Sequence, residues 1–287
     1  MGIEDWPAGS KKHRVGPSVG PQPLEVPMSD SFRVLSAMAS LSLIGCKPPP
    51  DAPNTLESLA AYLFEHAADD DPDALKAGVE NLDRWLDGNL AEARDGYTIH
   101  TLSTDAIDGV AVDPVHADGL VGAAVATTLP KGPMRVARAL TMADPTKVFP
   151  DTFMVYERDW LDDPSCFVDR ECGSTSLHAH TVSAYPMSLE VASDIKAEYR
   201  WVELDDGVAM VQRTWLRRPA EVSKDWVAVP AQFFLSVNLP QRGKTRRLQT
   251  TWIAAELGDT PVPEATALNM VIDSMVSSDE KLSEWMR

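Results

Sequence analysis

Cations are scarce in this sequence: 26 Lys and Arg stand against 43 Asp and Glu, giving a net charge of -17 over 287 residues. A surface that acidic repels phosphate backbones, and no run of Lys and Arg interleaved with aromatics reverses the sign locally. Nucleic acid is therefore not an expected partner. Also absent are the G-x-S-x-G elbow, the P-loop, H-E-x-x-H, the EF-hand loop and the dinucleotide fingerprint. Without them, enzyme activity is less expected than binding, and no cofactor is expected. No apolar run reaches the ~20 residues that a helix needs to cross a bilayer, so no transmembrane span is expected. Cysteine is limited to three positions, Cys46, Cys166 and Cys172.

What is present is an ordinary globular composition, 44% hydrophobic and 24% charged, with length enough for one large core or two modest ones. Residues 28–45 run from a polar start with one cation, Arg33, through an apolar stretch from Val34 to Ile44, to Gly45 just before Cys46. That order is the order of a signal peptide. It resembles a bacterial lipoprotein signal, because Leu43-Ile44-Gly45-Cys46 fits the lipobox of that family. The resemblance implies a diacylglyceryl thioether on Cys46, cleavage before it and acylation of the freed amine, and such a multiple anchor holds a protein stably on a membrane. Met28 is then the expected start, and residues 1–27 an untranslated or disordered lead. The competing reading makes Val34 to Ile44 a buried helix of a cytosolic protein.

Residues 46–53 form a Pro-rich spacer, which is extended and lifts the folded part off the membrane. Lys47, standing where Asp signals inner-membrane retention in such lipoproteins, favours the outer membrane within the cell envelope. The first 46 residues hold four basic and four acidic side chains, so the mature part carries the whole charge of -17.

With Cys46 lipidated, Cys166 and Cys172 remain as an even pair suited to an oxidising compartment. A disulfide across so short a loop stabilises by about 2 kcal/mol. A weaker alternative joins both thiols to His178 and His180 as a zinc ligand set, and a third leaves the thiols unlinked. Ser174 and Ser176 beside His178 have the look of a nucleophile site, but a polar loop accounts for them better. Convergence of His178, His180 and Glu171 is what an enzyme reading would require.

Apolar spacing divides the rest. Leu56, Leu59, Tyr62 and Leu63 predict a helix from Asn54 to about Ala68, with Asn54 and Glu57 as a capping pair. After Asp71-Pro72 a second helix carries Leu75, Val79, Leu82, Leu86 and Leu90 to near Gly96. Leu120 to Leu129 predicts a strand, and Pro133 to Ala143 a helix. Strands are expected over Phe153 to Trp160 and Leu177 to Ala184. Asp205-Asp206-Gly207 joins two alternating stretches as a hairpin, Gln232 to Leu239 and Arg246 to Ala255 form another, and a helix runs from Glu264 toward Trp285. The expected class is α+β: a helical hairpin (54–114), then an antiparallel sheet wrapped around a long C-terminal helix (115–287).

That order resembles the helix-grip fold of the START-like superfamily. The resemblance rests on the strand Leu120 to Leu129 with the Pro133 helix behind it, on Lys147-Val148-Phe149-Pro150-Asp151 before the next strand, and on Leu268, Val271, Ile272 and Met275. It implies a pocket between sheet and last helix, hence an apolar small-molecule partner; Tyr199, Trp201, Trp215 and Trp252, on or near strands of the meander, are the candidate lining. The alternative is a structural or protein-interaction lipoprotein with a filled core, in which those aromatics are packing.

Overall fold

Two helices open the folded region in this computed structural model, which describes residues 51–111, 119–185, 188–258, 260–261 and 263–287. Helix α1 spans Leu56–His66 and α2 spans Pro72–Arg94. Asp71 caps α2 by accepting from the Asp73 amide at 3.0 Å, and Pro72 occupies a first-turn position where no amide is needed. The capping pair expected for α1 does not form. Its N-cap is Thr55; Asn54 instead accepts from Asn81 at 3.1 Å, and Glu57 accepts from the Tyr97 hydroxyl at 2.6 Å. Partners brought in by the fold outcompete the local cap.

Next come β1 (Tyr97–Ile99), α3 (Thr104–Asp108), β2 (Val121–Leu129), α4 (Pro133–Leu140) and a 3-10 turn at Pro145–Lys147. Then follow β3 (Val155–Trp160), α5 (Pro164–Val168), β4 (Ser174–Tyr185), β5 (Leu189–Leu204), β6 (Gly207–Leu216), β7 (Glu221–Val222), β8 (Val227–Gln241), β9 (Lys244–Leu257) and β10 (Thr260–Pro261). Helix α6 (Glu264–Met286) closes the list. The expected α+β class is the observed one.

All pairings are antiparallel, in the order β1-β2-β9-β8-β6-β5-β4-β3, with β7 added to β5 and β10 to β9. Strand β2 therefore joins the meander through its last long strand. Each strand of the sheet presents alternate residues to two apolar layers.

On one face α1 and α2 bury Leu56, Leu59, Leu63 and Phe64 against Ala124, Val211, Phe233, Leu235 and Trp252. The helical hairpin thus shares its core with the sheet, and Lys47–Arg287 make one compact unit. Trp252 lies across Gly122 so closely that a Cβ there would fall 2.7 Å from the indole; glycine is what lets the ring reach the backbone. On the other face α6 runs along the sheet, with Val271 and Met275 against Ala123 and Val125. Its last turns reach Leu129, Tyr199 and Met210 through Leu282 and Met286.

Cys46, the signal at 28–45 and the lead at 1–27 lie outside the described residues.

Candidate functional site

The face of the sheet under α6 is built by residues that alternate with those facing the helical hairpin. In β5 these are Ile195, Ala197, Tyr199 and Trp201, and in β6 Met210, Gln212 and Thr214. In β8 they are Phe234, Ser236 and Asn238, and in β9 Arg247, Gln249, Thr251 and Ile253. Along this face burial changes from one end to the other. Toward the turn between β5 and β6, Tyr199, Trp201 and Met210 are sealed by α5 and the end of α6. Toward the opposite end, Ile195, Thr214, Phe234 and Ile253 are only half buried, as are Leu268, Ile272 and Val276 of α6. Apolar side chains thus stay partly accessible at one end of this face and are enclosed at the other.

A polar cluster lies in the same rows as Tyr199 and Trp201, toward the closed end. Arg247, 2% exposed, donates to Asn238 at 3.1 Å and to Gln249 at 3.2 Å, and its Nε lies 3.1 Å from the carboxylate of Asp279, itself 4% exposed. Gln249 in turn donates to the Met275 carbonyl at 3.1 Å, tying the strand to α6. The Arg247–Asp279 contact is close but misaligned, and neither carboxylate oxygen receives a well-directed hydrogen bond among the described residues. Burial pushes the Asp279 carboxyl up to about 6, against the pull of Arg247, and burial likewise lowers Arg247. A charged pair so placed suits the polar end of an otherwise apolar molecule.

The four aromatic candidates divide between the faces. Tyr199 and Trp201 lie on the α6 face, where Trp201 stacks on Phe167 with centroids 4.8 Å apart and donates to the Phe167 carbonyl at 2.9 Å. Trp215 and Trp252 lie on the other face, in the core beneath α1 and α2. Trp252 donates to the His100 carbonyl at 2.8 Å and meets Phe64 edge-on. The two pairs therefore cannot line one pocket. Register carries the signal that separates them: a turn pairing Leu204 with Gly207 sets Trp215 opposite Lys196, which alternates with Trp201.

Cys166 and Cys172 are joined as a disulfide, with Cα atoms 5.3 Å apart. His178 and His180 project from β4 on the side away from its buried Leu177 and Ala179. Burial and the nearby Arg217 and Lys196 hold His178 below its usual range, while His180 pairs with Asp194 at 2.7 Å. Disulfide and histidines are thus not gathered around one point, and among the described residues no three His, Cys, Asp or Glu are grouped to hold a metal. Ser176 donates to Asp162 at 3.0 Å rather than to His178.

Two surface cavities are formed by the described residues. One, of about 590 Å³, opens between the α1–α2 turn and strands β4 and β5. Its cations are committed: Arg213 pairs with Glu198 at 2.7 Å, and Arg200 donates to the Asp69 carbonyl. Burial alone would raise Glu198, but Lys196 and Arg213 outweigh it and hold the carboxyl low. This cleft is a clasp between the helical hairpin and the sheet. The other cavity, of about 550 Å³, lies between the start of α4 and the end of α6.

Likeness to solved structures reaches this architecture at low identity. The chain is similar to the STAR-related lipid transfer protein of Xanthomonas axonopodis, at 16% identity over 61% of this chain and 90% of that one, with a TM-score of 0.40. It is similar to the human StarD13 lipid transfer and protein localization domain, at 11% identity over 72% and 96%, TM-score 0.36. Norcoclaurine synthase of Thalictrum flavum follows at 7% identity over 58% and 86%, TM-score 0.32. No protein-family model and no curated protein sequence matches the chain.

Proposed function

We propose that this chain is an envelope lipoprotein, anchored through Cys46, whose folded domain takes an apolar-bodied small molecule into a groove between the sheet and α6. The observation that supports this reading is the gradient of burial along this face, from half-buried Ile195, Phe234, Ile253 and Ile272 at one end to the buried Arg247 and Asp279 further in. An apolar body gains by covering the first set, and a hydroxyl or other polar end meets the hydrogen-bonding groups of Arg247 and Asp279 in the second.

The rim is consistent with such a guest. Tyr185 at the end of β4, Met154 just before β3 and Trp226 just before β8 are all exposed, as is Met270 near the start of α6. Strand register puts them at the same end of the sheet: Met154 donates to the Val182 carbonyl, and the Gly258 amide to that of Trp226. Exposed aromatics around an opening suit an interface with lipid or with a membrane-borne ligand.

A protein-interaction role with a filled interior is the second reading. It is favoured by the packing of Trp201 and Trp252, each hydrogen-bonded and enclosed.

Intact-mass analysis of the protein purified in detergent from membranes of its own host tests both parts. A mass of Cys46–Arg287 plus two or three acyl chains, together with a small molecule lost on Phe234→Trp, is the expected result. An unacylated chain refutes the anchor. An acylated chain with no guest, unchanged by Phe234→Trp, refutes the ligand and leaves the interaction role.

A further inference from the structure

The sequence holds no run of cations, yet the fold assembles one. Lys131, Arg135 and Arg138 at the start of α4 and Arg287 after α6 line the 550 Å³ cavity, and no Asp or Glu side chain lines it with them. Among the described residues, none of the four has a carboxylate within 4 Å, whereas Arg246, Arg247 and the cations of the larger cleft are bound to carboxylates or carbonyls. In a chain of net charge -17, four unpaired cations around one hollow form a local inversion of sign.

Their geometry is set by neighbours. The Arg135 guanidinium sits 4.0 Å from the centroid of the Trp285 ring, a cation–π contact that holds it beside the cavity both residues line. Trp285 is itself packed against the buried cluster of Tyr199 and Met210. Arg138 stands three residues on from Arg135, on the same side of the helix. Gly132, the N-cap, has no side chain to bond the first-turn amides, and nothing lies within 4 Å of where its Cβ would be. Met134, Trp285 and Met286 provide apolar walls beside the charges.

We propose that this cavity binds a phosphate-class anion, with Arg135 and Arg138 as paired guanidinium ligands and Lys131 as the third charge. Several cations around one hollow match a multiply charged group better than a lone carboxylate, and planar guanidinium forks match the oxygens of phosphate. The anion is either a soluble phosphate or the headgroup of a phospholipid; the chemistry that recognises it is the same. This site lies at the end of the sheet opposite the rim of the groove, and it does not depend on a ligand between the sheet and α6.

The test uses the full chain carrying Cys46→Ser, so that no acyl group intervenes. Pyrophosphate is titrated calorimetrically, and co-sedimentation is measured with vesicles of phosphatidylglycerol and, separately, of phosphatidylcholine. Arg135→Glu/Arg138→Glu is compared with Arg94→Glu/Arg217→Glu, which makes the same charge change at exposed positions elsewhere, and thermal melts establish that both variants fold. Binding of pyrophosphate that falls at least tenfold in the first variant only identifies a soluble phosphate site. Binding to phosphatidylglycerol vesicles alone, lost in the first variant only, identifies a headgroup site. Absence of both, or equal loss in the two variants, overturns the proposal.

Discussion

Arg246 and Arg247 are neighbours on β9, yet they hold opposite faces of the sheet: Arg246 reaches Asp83 and Asp87 on α2, and Arg247 reaches Asp279 on α6. Strand alternation makes this doubled arginine a rivet through the sheet. Arg246 is nearly buried while Asp87 is mostly exposed, so the partners contribute unequally. Burial, together with the like charges of Asp87 and Asp206, raises the Asp83 carboxyl against the pull of Arg246. Arg246→Ala is expected to cost about 1–3 kcal/mol in urea unfolding, by leaving Asp83 half-buried and unpaired. Asp87→Ala, by contrast, is expected to cost less than about 1 kcal/mol.

On the other face the pH dependence is diagnostic. The folded-state value for Asp279, about 6, lies above its ordinary 3.8, so between these values the folded protein holds a proton that the unfolded chain has lost. Its contribution is therefore fully present below about pH 4 and is lost as pH rises toward 6. Relative to wild type, Asp279→Asn is expected to gain on the order of 2–3 kcal/mol across that window, read from urea unfolding at pH 4 to 7. A difference that stays flat with pH would contradict the assignment.

Gly122 offers a purely steric test. A methyl group there meets Trp252 at 2.7 Å and Ile99 at 2.8 Å, both held in the core. Gly122→Ala is expected to destabilise by about 1–3 kcal/mol through overpacking. Gly132→Ala, with open space around it, is expected to stay within about 0.5 kcal/mol of wild type.

How much of this was legible beforehand depended on whether the cause was local. Asp71-Pro72 starts α2 and Asp205-Asp206-Gly207 turns the β5–β6 hairpin, because cap and turn chemistry act within a few residues. The three-residue strand β1 was not legible: Tyr97–Ile99 has too few residues for a period and exists because β2 is beside it. Within the groove, Phe234 and Ile253 could be read as apolar, but what covers them is set by α6. Asp279 reads as a polar position of a long helix, and only the register of β9 brings Arg247 beneath it. The basic cavity escaped for the same reason, since Arg287 follows Lys131 by half the chain.

The loop closed by Cys166 and Cys172 carries Phe167, whose carbonyl receives the Trp201 indole. Cys166→Ser/Cys172→Ser is expected to lower stability by about 2 kcal/mol, observed as a drop in melting temperature that matches wild type under reductant. If both proteins melt alike without reductant, the bridge is not formed in solution.

The place of β2 in the sheet has a consequence for the order in which the chain takes shape. Its partner is β9, and the Thr245 hydroxyl that bonds the Lys131 carbonyl belongs to a residue 114 positions downstream. A ribosome that has completed α4 has made a strand with only the three-residue β1 to pair with, its longer mate not yet made. The sheet can close only when nearly the whole chain is available, so folding is late and slowed by the long loop that must be drawn in. A chain stopped before Lys244 leaves β2 with β1 alone, and it yields an open edge instead of a smaller domain.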